Sequence, residues 1–159
     1  MATGYHLPGW WRSAQAPTPT PSHPAADIEE RRLADLINDE RVKAGCSALR
    51  IDGRLRTAAE TRALSMNGTE AIAHVDSDLE DPQTRASAVG YPGQVVENQA
   101  VGLLTAEDVM ARWLDPQIDP ALKARLDNCA FVSAGIGFSD RQVTERYGPG
   151  VWVLDLGTS

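Results

Sequence analysis

The chain has 159 residues, a length typical of one domain with a short extension, and its 22 acidic and 15 basic side chains give a net charge of −7. This acidic balance argues against nucleic acid and anionic lipid surfaces as partners, because both attract basic proteins. No apolar run approaches the roughly 18 residues of a membrane-spanning helix, so we expect no transmembrane segment. The hydrophobic content of 42% is ordinary for a globular protein.

The first 26 residues are predicted to be a Pro/Thr-rich flexible leader or linker. Pro alternates with Thr and Ser in residues 13–27, a composition that favours extended polyproline II and buries little surface. Trp10 and Trp11 precede this stretch, and an exposed Trp pair could dock on the domain or recruit a partner. No charged region followed by an apolar one opens the chain, so no signal peptide is visible. The folded domain is predicted to span residues 27–159.

Helical spacing of apolar residues predicts four helices and one short helical turn within this domain. Each begins after a side chain that can accept a hydrogen bond from a free main-chain N–H group, and most are followed by a residue that stops a helix. The expected caps are Asp27, Asp52, Asp81, Thr105 and Asp119, and the expected stops are Gly45, Gly68, Gly90 and Pro116.

Three segments rich in β-branched and aromatic residues are predicted as strands, at residues 94–101, 131–138 and 150–157. In the second segment, alternation places four apolar side chains on one face: Val132, Ala134, Ile136 and Phe138. The polar, Gly- and Pro-containing stretch before the last strand suits a hairpin connection. Helices therefore come first and an antiparallel pair of strands closes the chain, which indicates an α+β fold.

Several strings, in this order, resemble the CAP superfamily of cysteine-rich secretory proteins, antigen 5 and pathogenesis-related proteins, in its bacterial secreted form. They are "LINDERVKAGCSALRIDGRLRTAAETRALSM", "RASAVGY", "VENQA", "VMARWLD" and "DNCAFVSAGIGF". His74 is similar in position to the first histidine of the family's central cleft. In "VENQA", Val96 replaces the Gly of the family's Gly-Glu-Asn motif, whereas Glu97 and Asn98 are kept. The resemblance covers residues 28–157 and implies an α-β-α sandwich with a small antiparallel sheet between helix layers.

The two cysteines, Cys46 and Cys129, have two interpretations from the residues alone. They are compatible with buried free thiols in a reducing compartment or with one disulfide in an exported protein. The resemblance favours the disulfide, because the family is mostly exported and many bacterial members carry cysteines at these two places. It also implies an extracellular or cell-envelope location for a mature form without its signal peptide.

The resemblance also implies a cleft, lined here by His74, Glu97, Asn98 and Leu122. Complete family sites use two histidines and one or two acidic residues, and some of them hold a divalent metal. In this chain the aligned stretch is "DPALKAR", so Leu122 stands where the second histidine is expected. The cleft is therefore predicted to be degenerate.

Three roles are open for His74. A catalytic zinc site normally needs three protein ligands; His74 and Glu97 supply two, and Asp76, Asp115 or Asp119 would have to supply the third. As a general base, the pair has no identified nucleophile or substrate. The third role is structural, with His74 donating a hydrogen bond to Glu97. We expect no cofactor and no tightly held metal, and His74 and Glu97 remain the candidate catalytic residues.

These observations favour an exported, non-enzymatic binding or scaffold module, expected to be a monomer. The resemblance implies a lipid, sterol or other small apolar molecule as its ligand, or an envelope protein as its partner. The alternative is a metal-dependent hydrolase that uses His74 and Glu97. A third hypothesis is an envelope protein that recruits its partner through Trp10 and Trp11.

Overall fold

A computed structural model describes residues 24–66, 81–142 and 145–159 of the chain. The helices are α1 (Pro24–Lys43), α2 (Gly53–Ser65), α3 (Pro82–Ala88), α4 (Ala106–Leu114) and α5 (Pro120–Leu126). The strands are β1 (Arg50–Ile51), β2 (Val95–Val101), β3 (Ser133–Gln142) and β4 (Pro149–Gly157). Within these residues, no helix combines the length and the apolar character needed to cross a membrane.

The four strands form one sheet in the order β1-β3-β4-β2. The predicted strands β2, β3 and β4 are confirmed, and β4 pairs antiparallel with both of its neighbours. The prediction of a wholly antiparallel sheet is wrong at one edge, where β1 runs parallel to β3. Helices lie between β1 and β3 in the chain, and such a crossover is what a parallel pair requires. A two-residue strand is too short to show any periodicity, so no sequence pattern indicates it.

Helices cover both faces of this sheet, which confirms the α-β-α sandwich. On one face α1, α4 and α5 pack against β2, β3 and β4, and on the other face α2 and α3 do so. The core of the first face includes Leu33, Ile37, Trp113, Leu126, Trp152, Leu154 and Leu156, and that of the second includes Leu55, Ala59, Ala63, Met66, Val151 and Val153.

Two glycines allow α2 to lie directly on β3. A Cβ atom added to Gly135 would stand 2.0 Å from the carbonyl carbon of Leu55, and one added to Gly137 would stand 2.5 Å from that of Ala59. The alternate residues of β3 face the opposite core, where Ala134 and Ile136 are buried as predicted. The predicted apolar stripe is shorter at its start, because Val132 is 40% exposed.

Four of the five predicted helix caps are confirmed. The side chains of Asp52, Asp81, Thr105 and Asp119 accept hydrogen bonds from main-chain N–H groups in the first turns of α2, α3, α4 and α5. The prediction for Asp27 is wrong, because α1 begins at Pro24 and Asp27 lies in its first turn, where its carboxylate binds Arg56. Gly45 and Gly90 follow their helices with positive φ, as expected, and Gly68 lies outside the described residues.

A buried guanidinium and a disulfide join the end of α1 to the segment after α5. Arg41, which is 1% exposed, donates hydrogen bonds to main-chain carbonyl oxygens on both sides of this junction. The predicted disulfide between Cys46 and Cys129 is confirmed, with the two Cα atoms 5.0 Å apart. Asn38 adds a link to the residue before β1, since its side chain accepts from the N–H group of Leu49 at 2.8 Å. Arg41 and Asn38, both polar residues of α1, therefore stabilise the fold.

Candidate functional site

Glu97 lies in the middle of β2 and faces the α2 and α3 layer. Its carboxylate pairs with the guanidinium of Arg85, which projects from α3, and it also accepts a hydrogen bond from the side chain of Gln99. The Glu97 side chain is only 5% exposed and that of Arg85 only 10%. Both oxygens of this carboxylate therefore already accept a hydrogen bond from a protein donor, and the side chain is nearly closed to solvent.

Asp155 stands directly beside Glu97, although the two residues are far apart in the chain. They are opposite partners in the β2–β4 pairing, so their side chains share one face of the sheet. Asp155 is completely buried, and no donor among the described residues forms a hydrogen bond to its oxygens. Burial raises the pKa of Asp155 well above 3.8, the nearby Glu97 carboxylate raises it further, and Arg85 opposes these effects. Asp155 is therefore expected to retain its proton and to donate it to Glu97 in a hydrogen bond.

This raised pKa makes the stability of the domain dependent on pH. The folded state keeps the proton of Asp155 at pH values where the unfolded chain, with a pKa near 3.8, has lost it. Stability is consequently lost as pH rises from about 4 through the folded pKa. Asp155→Asn retains a donor toward Glu97 and does not have to take up a proton on folding, so we expect it to stabilise the domain by about 1 kcal/mol or more at pH 8. Urea unfolding of the parent protein and of Asp155→Asn, each at pH 4 and at pH 8, measures the free energy of unfolding under both conditions.

Asp35→Asn is the matched control for this comparison, because Asp35 is exposed on α1 and the chemical change is the same. The stability gain of Asp155→Asn should be much smaller at pH 4, because the unfolded chain, with a pKa near 3.8 at this residue, is then close to half protonated. A gain of equal size at both pH values, or a loss at pH 8, would contradict the assignment of a protonated Asp155.

Asn98 and Leu122 lie on the opposite side of the sheet from Glu97. Successive residues of a strand face opposite sides, so Asn98 faces α5, where its side chain donates to the carbonyl oxygen of Leu122 at 3.1 Å and accepts from Arg125. Asn98 is completely buried, and Leu122 packs against the core of that layer. Among the described residues, Glu97 therefore faces one side of the sheet, and Asn98 and Leu122 lie on the other; their predicted place in a ligand cleft stays a prediction.

The remaining candidate ligands do not complete a metal site among the described residues. His74 and Asp76 lie outside the described residues, so the contact predicted between His74 and Glu97 stays a prediction. Asp119 caps α5, and Asp115 ends α4 and accepts a hydrogen bond from the N–H group of Gln117. Within the described ranges, no three His, Cys, Asp or Glu side chains are grouped so that they could hold a metal ion.

Sequence reasoning missed Arg85 and Asp155, the two charged residues that lie beside the Glu97 carboxylate. The one available signal was an aspartate within an otherwise apolar strand, "VWVLDLG". Such a residue needs a polar partner when it is buried. The partner is 58 positions earlier in the chain, and only the strand pairing identifies it.

Comparisons with known proteins agree with this architecture. A family model described as the cysteine-rich secretory protein family, CAP, matches residues 34–155. The chain is 25% identical over 122 residues to the uncharacterized protein YkwD of Bacillus subtilis (strain 168), which covers 76% of this chain. It spans 46% of that relative, a little under half of its length.

Solved structures from other bacteria show the same fold. An outer surface protein from Borrelia burgdorferi superposes with a TM-score of 0.69 at 21% identity, over 84% of this chain and 94% of that one. An extracellular protein containing an SCP domain from Bacillus anthracis superposes with a TM-score of 0.70 at 17% identity, over 88% and 45% of the two chains. With a family model that matches most of the chain and a sheet between two helix layers, this chain belongs to the cysteine-rich secretory protein family, CAP.

Proposed function

We propose that this domain is an exported binding or scaffold module without enzymatic activity, whose ligand is a small apolar molecule or lipid. The observation that carries the proposal is that the Glu97 side chain is buried and bound by other protein groups. The acid that the family keeps in its Gly-Glu-Asn motif is bound by Arg85 and Gln99 and lies against Asp155. A general base or a metal ligand needs a free lone pair directed at its target. The contacts of Glu97 instead hold its side chain in a fixed position, which suits a structural role.

Two observations support export. The disulfide between Cys46 and Cys129 is typical of proteins that fold in an oxidising compartment. The similar structures from Borrelia burgdorferi and Bacillus anthracis are named as an outer surface protein and an extracellular protein, respectively. These observations support our proposal that the domain acts outside the cytoplasm or in the cell envelope, with a lipid or an envelope protein as its partner.

The proposal predicts which apolar ligands bind. The protein carries a net charge of −7, and Leu122 stands where the family resemblance implies an imidazole. We therefore expect a neutral sterol to bind more tightly than the same sterol carrying a sulfate, because the sulfate meets an acidic surface. Titration of the full chain with cholesterol and cholesterol sulfate at matched detergent and salt concentrations measures the two affinities. Tighter binding of the sulfated form would contradict the prediction.

A zinc titration in the same buffer tests the hydrolase alternative. Two protein ligands leave an ion mostly solvated, so we expect no zinc site tighter than about micromolar, a free energy of roughly 8 kcal/mol. Dialysis against a chelator should leave the melting temperature unchanged. A stoichiometric sub-micromolar site that is lost in His74→Ala would favour the metal-dependent enzyme over the binding module.

A further inference from the structure

A cavity of about 300 Å³ opens beside β1, at the edge of the sheet that is remote from β2. Its apolar wall is formed by Ala34 on α1, Ile51 on β1 and Ile136 on β3. Ile51 is 54% exposed, and folded proteins often cover an apolar edge strand with another segment of the chain. A volume at the lower end of the range for ligand pockets suits one large side chain.

The polar wall of this cavity is balanced in charge. It carries two carboxylates, those of Asp27 and Glu30, and two guanidinium groups, those of Arg31 and Arg56. Arg56 pairs with both carboxylates, at 2.7 Å from Asp27 and 3.2 Å from Glu30. Arg31 is exposed, and its Nε atom donates to the main-chain oxygen of Asp27. Guanidinium groups stack on aromatic rings, most favourably on indole. A neutral aromatic side chain therefore fits this lining better than an ion of either sign.

The N-terminal leader carries such side chains and ends at this cavity. Trp10 and Trp11 lie outside the described residues, and residues 12–23 connect them to the start of α1 at Pro24. The cavity begins at Asp27 in the first turn of α1, roughly 5 Å along the helix axis from the end of the leader. Residues 12–23 span up to roughly 40 Å when extended, so this connection reaches the cavity without strain.

We propose that the Trp10–Trp11 pair docks at this cavity of its own chain. One indole packs on the hydrocarbon of Ile51 and Ile136 and against the guanidinium of Arg31. Docking within one chain needs little intrinsic affinity, because a short tether gives an effective concentration on the order of millimolar. The docked pair covers the β1 edge of the sheet, and this role is independent of any ligand that the domain binds.

Tryptophan fluorescence measures this contact. The chain has four tryptophans, and the other two, Trp113 and Trp152, are completely buried, so acrylamide added to the folded protein quenches mainly Trp10 and Trp11. Subtraction of the signal of the double variant Trp10→Phe with Trp11→Phe, under each condition, isolates the leader tryptophans. We expect these to be quenched at least threefold less in the folded full chain than in the same chain unfolded in urea.

Two matched variants locate the contact. Ile51→Glu replaces hydrocarbon of the cavity wall by a carboxylate, so quenching of the leader tryptophans should rise to its level in urea. Ile118→Glu is the control, because Ile118 is 55% exposed between α4 and α5 and is not among the described residues that line the cavity. This variant should quench like the parent protein. Both changes are at exposed residues, so we expect the fold to be retained, and circular dichroism checks this.

Three results would overturn the proposal at this cavity: equal quenching in the folded and unfolded parent protein, full protection of the leader tryptophans in Ile51→Glu, or an equal loss of protection in Ile118→Glu. The parent protein is also measured over a hundredfold range of concentration, where protection within one chain should stay constant. Protection that is lost on dilution would assign the contact to a second copy of the chain and would overturn docking within one chain.

Discussion

Replacement of Arg41 by methionine is expected to lower the free energy of unfolding by about 3–5 kcal/mol. The guanidinium donates to the carbonyl oxygens of four residues at distances between 2.8 and 3.1 Å: Ser47, Leu126, Asn128 and Phe131. Methionine fills similar space but leaves these carbonyl groups without their donor, and a buried acceptor that loses its partner costs about 1–3 kcal/mol. Unfolding in urea, followed by tryptophan fluorescence, measures the loss.

Arg32→Met is the matched control for this prediction. Arg32 lies on the same helix, but its side chain is 60% exposed and pairs with the exposed Glu107. Exposed ion pairs contribute about 0–1 kcal/mol, so the control should remain close to the parent protein. A loss for Arg41→Met no larger than that of Arg32→Met would show that the four carbonyl groups find other partners.

Removal of the disulfide, by Cys46→Ala together with Cys129→Ala, is expected to cost roughly 4 kcal/mol. The bond closes a loop between residues separated by 83 positions, and a loop of this length strongly restricts the unfolded chain. The double variant should unfold at lower urea concentration, and the reduced parent protein should behave in the same way. Intact mass after alkylation without reductant should show no modified thiol in the native protein.

The disulfide and Arg41 are expected to be coupled. The N–H group of Cys46 donates to the carbonyl oxygen of Arg41 at 2.8 Å, and both groups hold the same two segments together. When one link is lost, the other has to restrain a more mobile junction, so the effects of combined changes should not add. A loss under 1 kcal/mol for Cys46→Ala with Cys129→Ala would show that the non-covalent contacts, Arg41 among them, hold this junction without the disulfide.

The order and type of most elements could be predicted from the sequence because their signals are local. A cap such as Asp52 or Thr105 binds N–H groups within three positions of itself, so the residues that determine it are adjacent in the chain. Strand alternation is local in the same way. At Asp27 the local rule failed because α1 begins at Pro24, and the Asp27 carboxylate instead accepts a hydrogen bond from the distant Arg56.

The sequence by itself determined the family and fold class, the helix starts after Asp52, Asp81, Thr105 and Asp119, and the three long strands. The tertiary structure decided which side chains meet. It placed Glu97 beside Asp155 and Arg85 and turned Asn98 to the opposite face. The physical reason is that burial and the pairing of charges depend on neighbours contributed by remote parts of the chain, and these conditions set the pKa values and the binding capacity of each carboxylate.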